Sequence, residues 1–170
     1  ILNATQVRAT IFATNDTSVL QGLDPDQWEI GIHPDLEKDK ETALPELLEV
    51  FPQAVGFRTH RLTDTYALRT TASEAGLKYD SNLYLPFPVS PFWDLSGLKR
   101  IPFVWSDFVV IASRGSFDFP WRLADDVVWV MAIHPIHIFL NSDALARYDR
   151  AFPIRGHEGS MRVIRNSWPV

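Results

Sequence analysis

His134 closes the apolar run Val127-Val128-Trp129-Val130-Met131-Ala132-Ile133 and is followed at once by Pro135, with His137 just beyond. His33 stands in the same way between Trp28-Glu29-Ile30-Gly31-Ile32 and Pro34. Arg58 and His60 follow Ala54-Val55-Gly56-Phe57, Asp80 follows Leu77-Lys78-Tyr79, and Asp107 follows the run from Ile101 to Trp105. Imidazole and carboxylate side chains exchange protons near neutral pH or hold a divalent cation. The chain has no Cys, which excludes thiolate nucleophiles, disulfides and Cys-based zinc sites together. It carries no G-x-S-x-G elbow for a serine nucleophile, and no G-x-G-x-x-G or P-loop for a nucleotide. His with carboxylate and no Cys suits a divalent metal, zinc first, whose open position activates water while a separate His protonates the leaving group. That is the logic of metal-assisted amide or ester hydrolysis.

Each residue alone has a structural explanation. A strand-end histidine can be a satisfied core residue, Arg58 and Asp80 can pair to hold two strand ends, and Asp107 after Ser106 can serve a turn. Shared position favours chemistry: the carboxyl ends of parallel strands lie along one rim, so these groups are expected to face one another. His137, with Pro135 between it and His134, is expected to point away and be structural. His157, in a Gly-flanked tail, reads as exposed.

The elements that must position these residues follow from periodicity. Strands are expected at 7–13, 28–33, 54–58, 77–81 and 101–105, with 107–113 extending the last or starting another. The run 127–133 reads as a central strand buried on both faces. Asp16 or Thr17 can cap a short helix ending near Gly22. Thr42 can cap a helix carrying Leu44, Leu47, Leu48 and Phe51 on one face, with Pro45 in its first turn. Thr63 is expected to cap the next, which ends at Gly76. Residues 83–98 and 114–126 read as long loops, Ser142 as the cap of a helix to Ala151, and 161–164 as a strand. Strands alternating with helices imply parallel pairing.

The 170 residues fit a single domain, 1–170, of ordinary globular composition. A net charge of −5, with no basic stripe, argues against nucleic acid. No apolar stretch approaches the ~20 residues of a membrane span. No signal peptide is visible, which leans toward the cytoplasm without fixing the compartment. The six Trp read first as packing residues, and in the loops as sugar-stacking platforms.

Four segments, in order, resemble the polysaccharide deacetylase family, the nodulation-type carbohydrate esterases. Ala9-Thr10-Ile11-Phe12-Ala13 looks like that family's A-T-F-F-V strand, and Glu29 to Pro34 like the E-I-G-x-H segment that opens its metal motif. Gly56-Phe57-Arg58 looks like the G-x-R segment, and Tyr79-Asp80-Ser81-Asn82-Leu83 like Y-D-S-S-L. Ile133-His134 looks like the closing L-H motif, and His134 to Asn141 resembles a divergent branch encoded with surface-polysaccharide genes. The resemblance implies an α/β fold, a distorted or incomplete (β/α) barrel with a mainly parallel sheet. It implies a metal-dependent hydrolase that removes an acyl group from the nitrogen of an N-acetylated sugar or related amide. In that scheme His33 and His60 hold the metal, zinc by default, His134 is the general acid, Arg58 steers a carboxylate and Asp107 supplies one. The pattern departs from the family in two places. Residues before Ala9 carry no T-F-D-D run, and His33 is followed four residues on by Glu37 where the family has a second His. The alternative is a non-catalytic carbohydrate-binding or structural relative of the same fold, and a third reading is a metal-free hydrolase.

Overall fold

The computed structural model describes residues 8–37, 42–117, 127–140, 142, 144 and 146. They fall into two compact units, one up to Pro102 and one from Phe103.

The first unit is built on parallel strands. β1 (Ala9–Ala13) pairs with β2 (Trp28–Ile32) over five residues. β3 (Gly56–Phe57) and β4 (Tyr79–Asp80) continue the sheet in parallel. β6 (Lys99–Arg100) pairs in parallel with β4, and β5 (Phe92–Trp93) closes the sheet as an antiparallel edge strand. The order is β1-β2-β3-β4-β6-β5. Parallel neighbours need crossovers, and α1 (Ser18–Gln21), α2 (Ala43–Val50) and α3 (Tyr66–Glu74) supply the first three. Ile32 and Phe57 from the sheet, Leu44 and Phe51 around α2, and Ala72 from α3 make the core. Thr42 precedes α2 as expected. The cap of α3 is Thr65 instead of Thr63: its Oγ1 accepts from the Leu68 N–H at 3.1 Å, because Thr63 is held in the preceding turn. Gly76 ends α3 at φ +96, where a β-carbon is disfavoured.

The strand-end residues are hooked in series. His33 N–H donates to Ala13 O, Arg58 N–H to Ile32 O, Ser81 N–H to Phe57 O and Ile101 N–H to Asp80 O, at 2.8–3.0 Å. Each strand therefore delivers its next residue to the same edge of this sheet. Two glycines let the strands carry aromatic rings there. A β-carbon on Gly31 would lie 2.8 Å from both Phe12 and Gly56 O, and one on Gly56 would lie 2.1 Å from the Tyr79 ring.

In the second unit β7 (Trp105–Ser106) pairs in parallel with β8 (Met131–Ala132). Here several expectations are corrected. Of the strand expected at 101–105 only Trp105 lies in one, β7, and β6 ends just before it at Arg100. Residues 107–113 form a helix, α4 (Asp107–Ser113), because Val110 and Ile111 bury one face of it and that burial overrides the strand preference of the β-branched run. The run 127–133 holds a two-residue strand, and Ala132 alone of the run is buried; β8 has one strand partner among the described residues. A helix that was not expected, α5 (Pro135–Leu140), starts directly after His134, with Pro135 in the first-turn position that tolerates a missing N–H. The expected strand at 161–164 lies outside the described residues, as do all but Ala144 and Ala146 of the expected helix 143–151 and the 118–126 part of the second loop. Among the described residues no closed barrel of paired strands forms. No helix of the described residues is long and apolar enough to cross a membrane.

Overpacking at a close backbone approach costs about 1–3 kcal/mol. Gly56→Ala should lower the urea-unfolding free energy by that amount, and by clearly less when Tyr79→Ala has already removed the ring. Equal costs in both backgrounds would contradict the packing described.

Candidate functional site

In the first unit the shared edge brings His33 and His60 together. Their ring centroids lie 5.8 Å apart, edge to face. His60 N–H donates to Pro34 O at 2.9 Å, which ties its 3₁₀ turn (His60–Leu62) to the segment after β2. That turn is strained: Arg61 and Leu62 both have positive φ, at 53 and 56. Buried Thr59 holds it, donating its N–H to Asn82 Oδ1 at 2.8 Å and its hydroxyl to Thr63 O at 2.7 Å. Glu37, which stands four residues after His33 where the family has a second His, is paired with Arg61 at 2.9 Å on the surface.

Arg58 lies beside this pair in the sheet, with its guanidinium over the Phe12 ring at 4.8 Å. Its Nε and Nη2 donate to Ser81 O and Oγ at 2.8 and 2.7 Å. Burial lowers its pKa to about 10, partly offset by attraction to Tyr79. Tyr79 is pushed up by burial and by its hydrogen bond with Glu29, so its phenol keeps its proton. Asp80 does not join the edge. It is fully buried and paired with Arg100 Nε at 2.7 Å, and Arg100 also reaches Asp64 at 2.9 Å. Burial raises the Asp80 pKa against the opposing pull of the Asn82 N–H and Arg100. The structural alternative, an Arg58–Asp80 pair, gives way to bonds from Arg58 to Ser81 and from Arg100 to Asp80.

In the second unit, parallel β7 and β8 place Asp107 and His134 side by side. Asp107 Oδ1 lies 2.6 Å from His134 Nδ1, and Oδ2 accepts the His134 backbone N–H at 2.7 Å. Oδ1 also accepts the Phe108 N–H at 2.7 Å. Burial alone would raise the Asp107 pKa; the bonds from the His134 ring and backbone, its charge and the Phe108 N–H outweigh that and hold the carboxyl below the usual range. Asp107 is therefore an anion, which accepts. Nδ1 of His134 carries the proton between them, and Nε2 is left for other partners. The Asp107 side chain is 5% exposed and that of His134 51%, so a buried anchor holds a ring that solvent and ligands can reach.

His137 belongs with them, against the expectation that it points away. The helical turn begun at Pro135 carries it back: its N–H donates to His134 O at 2.9 Å and its ring lies 5.5 Å from that of His134. Phe108 packs on both imidazoles, at 6.2 and 6.3 Å. Asp107, His134 and His137 each offer a donor atom within 4.8 Å of the others, and among the described residues they are the group of three that could hold a metal. The H-x-x-H spacing on a helix start was the signal for this, masked by reading 127–133 as a long strand. Of the Trp residues, Trp28 is buried and Trp93 is 68% exposed, while Trp121 and Trp168 lie outside the described residues, as does His157.

The family model for the WbmS-like polysaccharide deacetylase matches residues 1–152. Among solved structures the chain is similar to one from Bordetella bronchiseptica, described as a candidate polysaccharide deacetylase involved in O-antigen biosynthesis. The two are 26% identical with a TM-score of 0.86, over 98% of this chain and 76% of that one. No match was found among curated proteins. The likeness bears out a mainly parallel α/β fold of the polysaccharide deacetylase kind.

A carboxyl with a depressed folded pKa stabilises the fold above its unfolded value, about 4 for Asp, and that contribution is lost as pH falls through the lower folded value. The stability gap between the protein and Asp107→Asn should be full at pH 7 and shrink below about pH 4 in urea unfolding. A gap that widens on acidification would reverse the sign assigned to Asp107.

Proposed function

The chain belongs to the WbmS-like polysaccharide deacetylase family, and from that premise we propose that it removes an acyl group from the nitrogen of an N-acetylated sugar or related amide. The observation that carries this reading is the Asp107–His134 pair. Hydrolysis adds water to the acyl carbon, breaks the C–N bond and leaves an amine nitrogen that must take up a proton as it departs. His134 gives that proton from Nε2. Asp107 keeps the ring in the required tautomer and orientation and stabilises the charged imidazolium before transfer. The surface-polysaccharide setting of the similar Bordetella protein supports a carbohydrate amide as the substrate class.

Arg58 is a positioning residue in this reading. Its two bonds to Ser81 lock the end of β3 to the end of β4, and so fix the segment that carries His60. His33 and His60 are proposed as ligands of a divalent metal, zinc by donor chemistry. Two imidazoles on one tetrahedral zinc, each at about 2.0–2.1 Å, would have centroids roughly 5 Å apart, close to what the pair shows. Among the described residues no third His, Asp or Glu completes that pair, whereas a catalytic zinc takes three protein ligands. The pair alone is therefore an incomplete fit.

Acetate release from an N-acetylglucosamine oligosaccharide tests the proposal. His134→Ala should lower kcat by about 10²–10⁴, the range of a lost general acid, with KM little changed. Metal analysis of His33→Ala should show loss of the bound ion. Oligosaccharide binding without acetate release, unaltered by His134→Ala, would assign the chain to a non-catalytic carbohydrate-binding role instead.

A further inference from the structure

We infer that Asp107, His134 and His137 form a site for a divalent transition-metal ion, and that filling it switches His134 off as a proton donor. The regulatory half rests on the acid role proposed above; the site itself does not. Three features carry it. The donor atoms already lie within 4.8 Å of one another, and zinc–ligand distances of about 2.0–2.2 Å require them to close to roughly 3.5 Å. The two imidazoles stand edge to face at 5.5 Å, near the roughly 5 Å that two histidines on one zinc adopt. The third donor is a buried carboxylate whose charge offsets that of the ion, so the site itself offers nitrogen and oxygen donors.

The backbone holds this arrangement before any ion arrives. Asp107 opens α4 directly after β7, His134 is pinned to it by its own N–H, and the first turn of α5 sets His137 over His134. His137 is buried and backed by the Phe108 ring. His134, half-exposed, is the side from which an ion enters.

The consequence follows from the lone pairs of imidazole. A neutral ring has one, and a proton or a metal can occupy it. Coordination at either ring nitrogen uses that lone pair, so the ring can no longer become the imidazolium that donates to a leaving amine. An ion in this site and proton transfer from His134 exclude each other.

The test uses the whole protein and zinc itself. In ¹⁵N spectra of the imidazoles, added zinc should shift the His134 and His137 ring signals together, at a ratio of one ion per chain for that pair. His137→Ala and the ring-filling His137→Phe should each weaken zinc binding at His134 by about tenfold or more, since removal even of a ligand's outer hydrogen-bond partner costs that much. Acetate release should fall as zinc is added in excess and resist the same excess in whichever of the two variants folds. Unmoved His134 and His137 signals would overturn the site. Zinc that shifts both rings while acetate release is undiminished would overturn the switch. If the protein releases no acetate under any condition yet both rings bind zinc, the site stands, and the acid role and the switch fall together.

Discussion

Parallel strands that pair side by side must hand the residues following them to one edge, and in this chain that constraint operates within each unit. In the first unit it acts through the serial N–H bonds that fix His33, Arg58 and Ser81 after β2, β3 and β4. In the second it acts on one pair, β7 and β8, and sets Asp107 against His134. The helices and turns hang from these edges. α4 begins on Asp107, α5 begins one residue after His134, and the strained turn at Arg61 and Leu62 keeps His60 beside His33. Strain of that kind costs on the order of 1–3 kcal/mol per residue, and buried Thr59 with Asn82 is what holds it.

Two aspartates at strand ends show how environment separates structure from chemistry. Asp80 is sealed in the sheet, its pKa raised by burial, and its charge is committed to Arg100. Asp64 links Arg100 to Arg69, and Arg69 bonds Asp94 in the β5–β6 hairpin, so this network ties α3 to the far strands of the sheet. Removing one partner from such a buried pair costs about 3 kcal/mol or more because the other charge is left behind. Asp107 is buried as well, but its partner is an imidazole with an accessible second nitrogen. There the same carboxylate does not merely close a structural gap; it presets a ring that can exchange a proton or take an ion.

The parallel α/β order was legible in the sequence because apolar runs, caps and prolines alternate with the right periods. The strand-end histidines were legible too, since each is followed by a break in the pattern. What escaped was governed by tertiary packing. Val109, Val110 and Ile111 favour a strand locally, yet the helix α4 buries two of them on one side. The run before His134 looked like a buried strand because seven apolar residues have no period of their own, and only Ala132 is buried. Misreading that run hid α5 and with it His137. The tight packing of Gly31 and Gly56 under Phe12 and Tyr79 was equally invisible, because a close backbone approach leaves no mark but the glycine itself.

The proposed chemistry turns on one proton, the one between Asp107 and Nδ1 of His134. The direct measurement is the ¹⁵N chemical shift of the two His134 ring nitrogens at a pH where the ring is neutral. A protonated Nδ1 and a bare Nε2 are expected, with loss of that preference in Asp107→Ala. A His134 ring found with its proton on Nε2 and its lone pair toward Asp107 would contradict it.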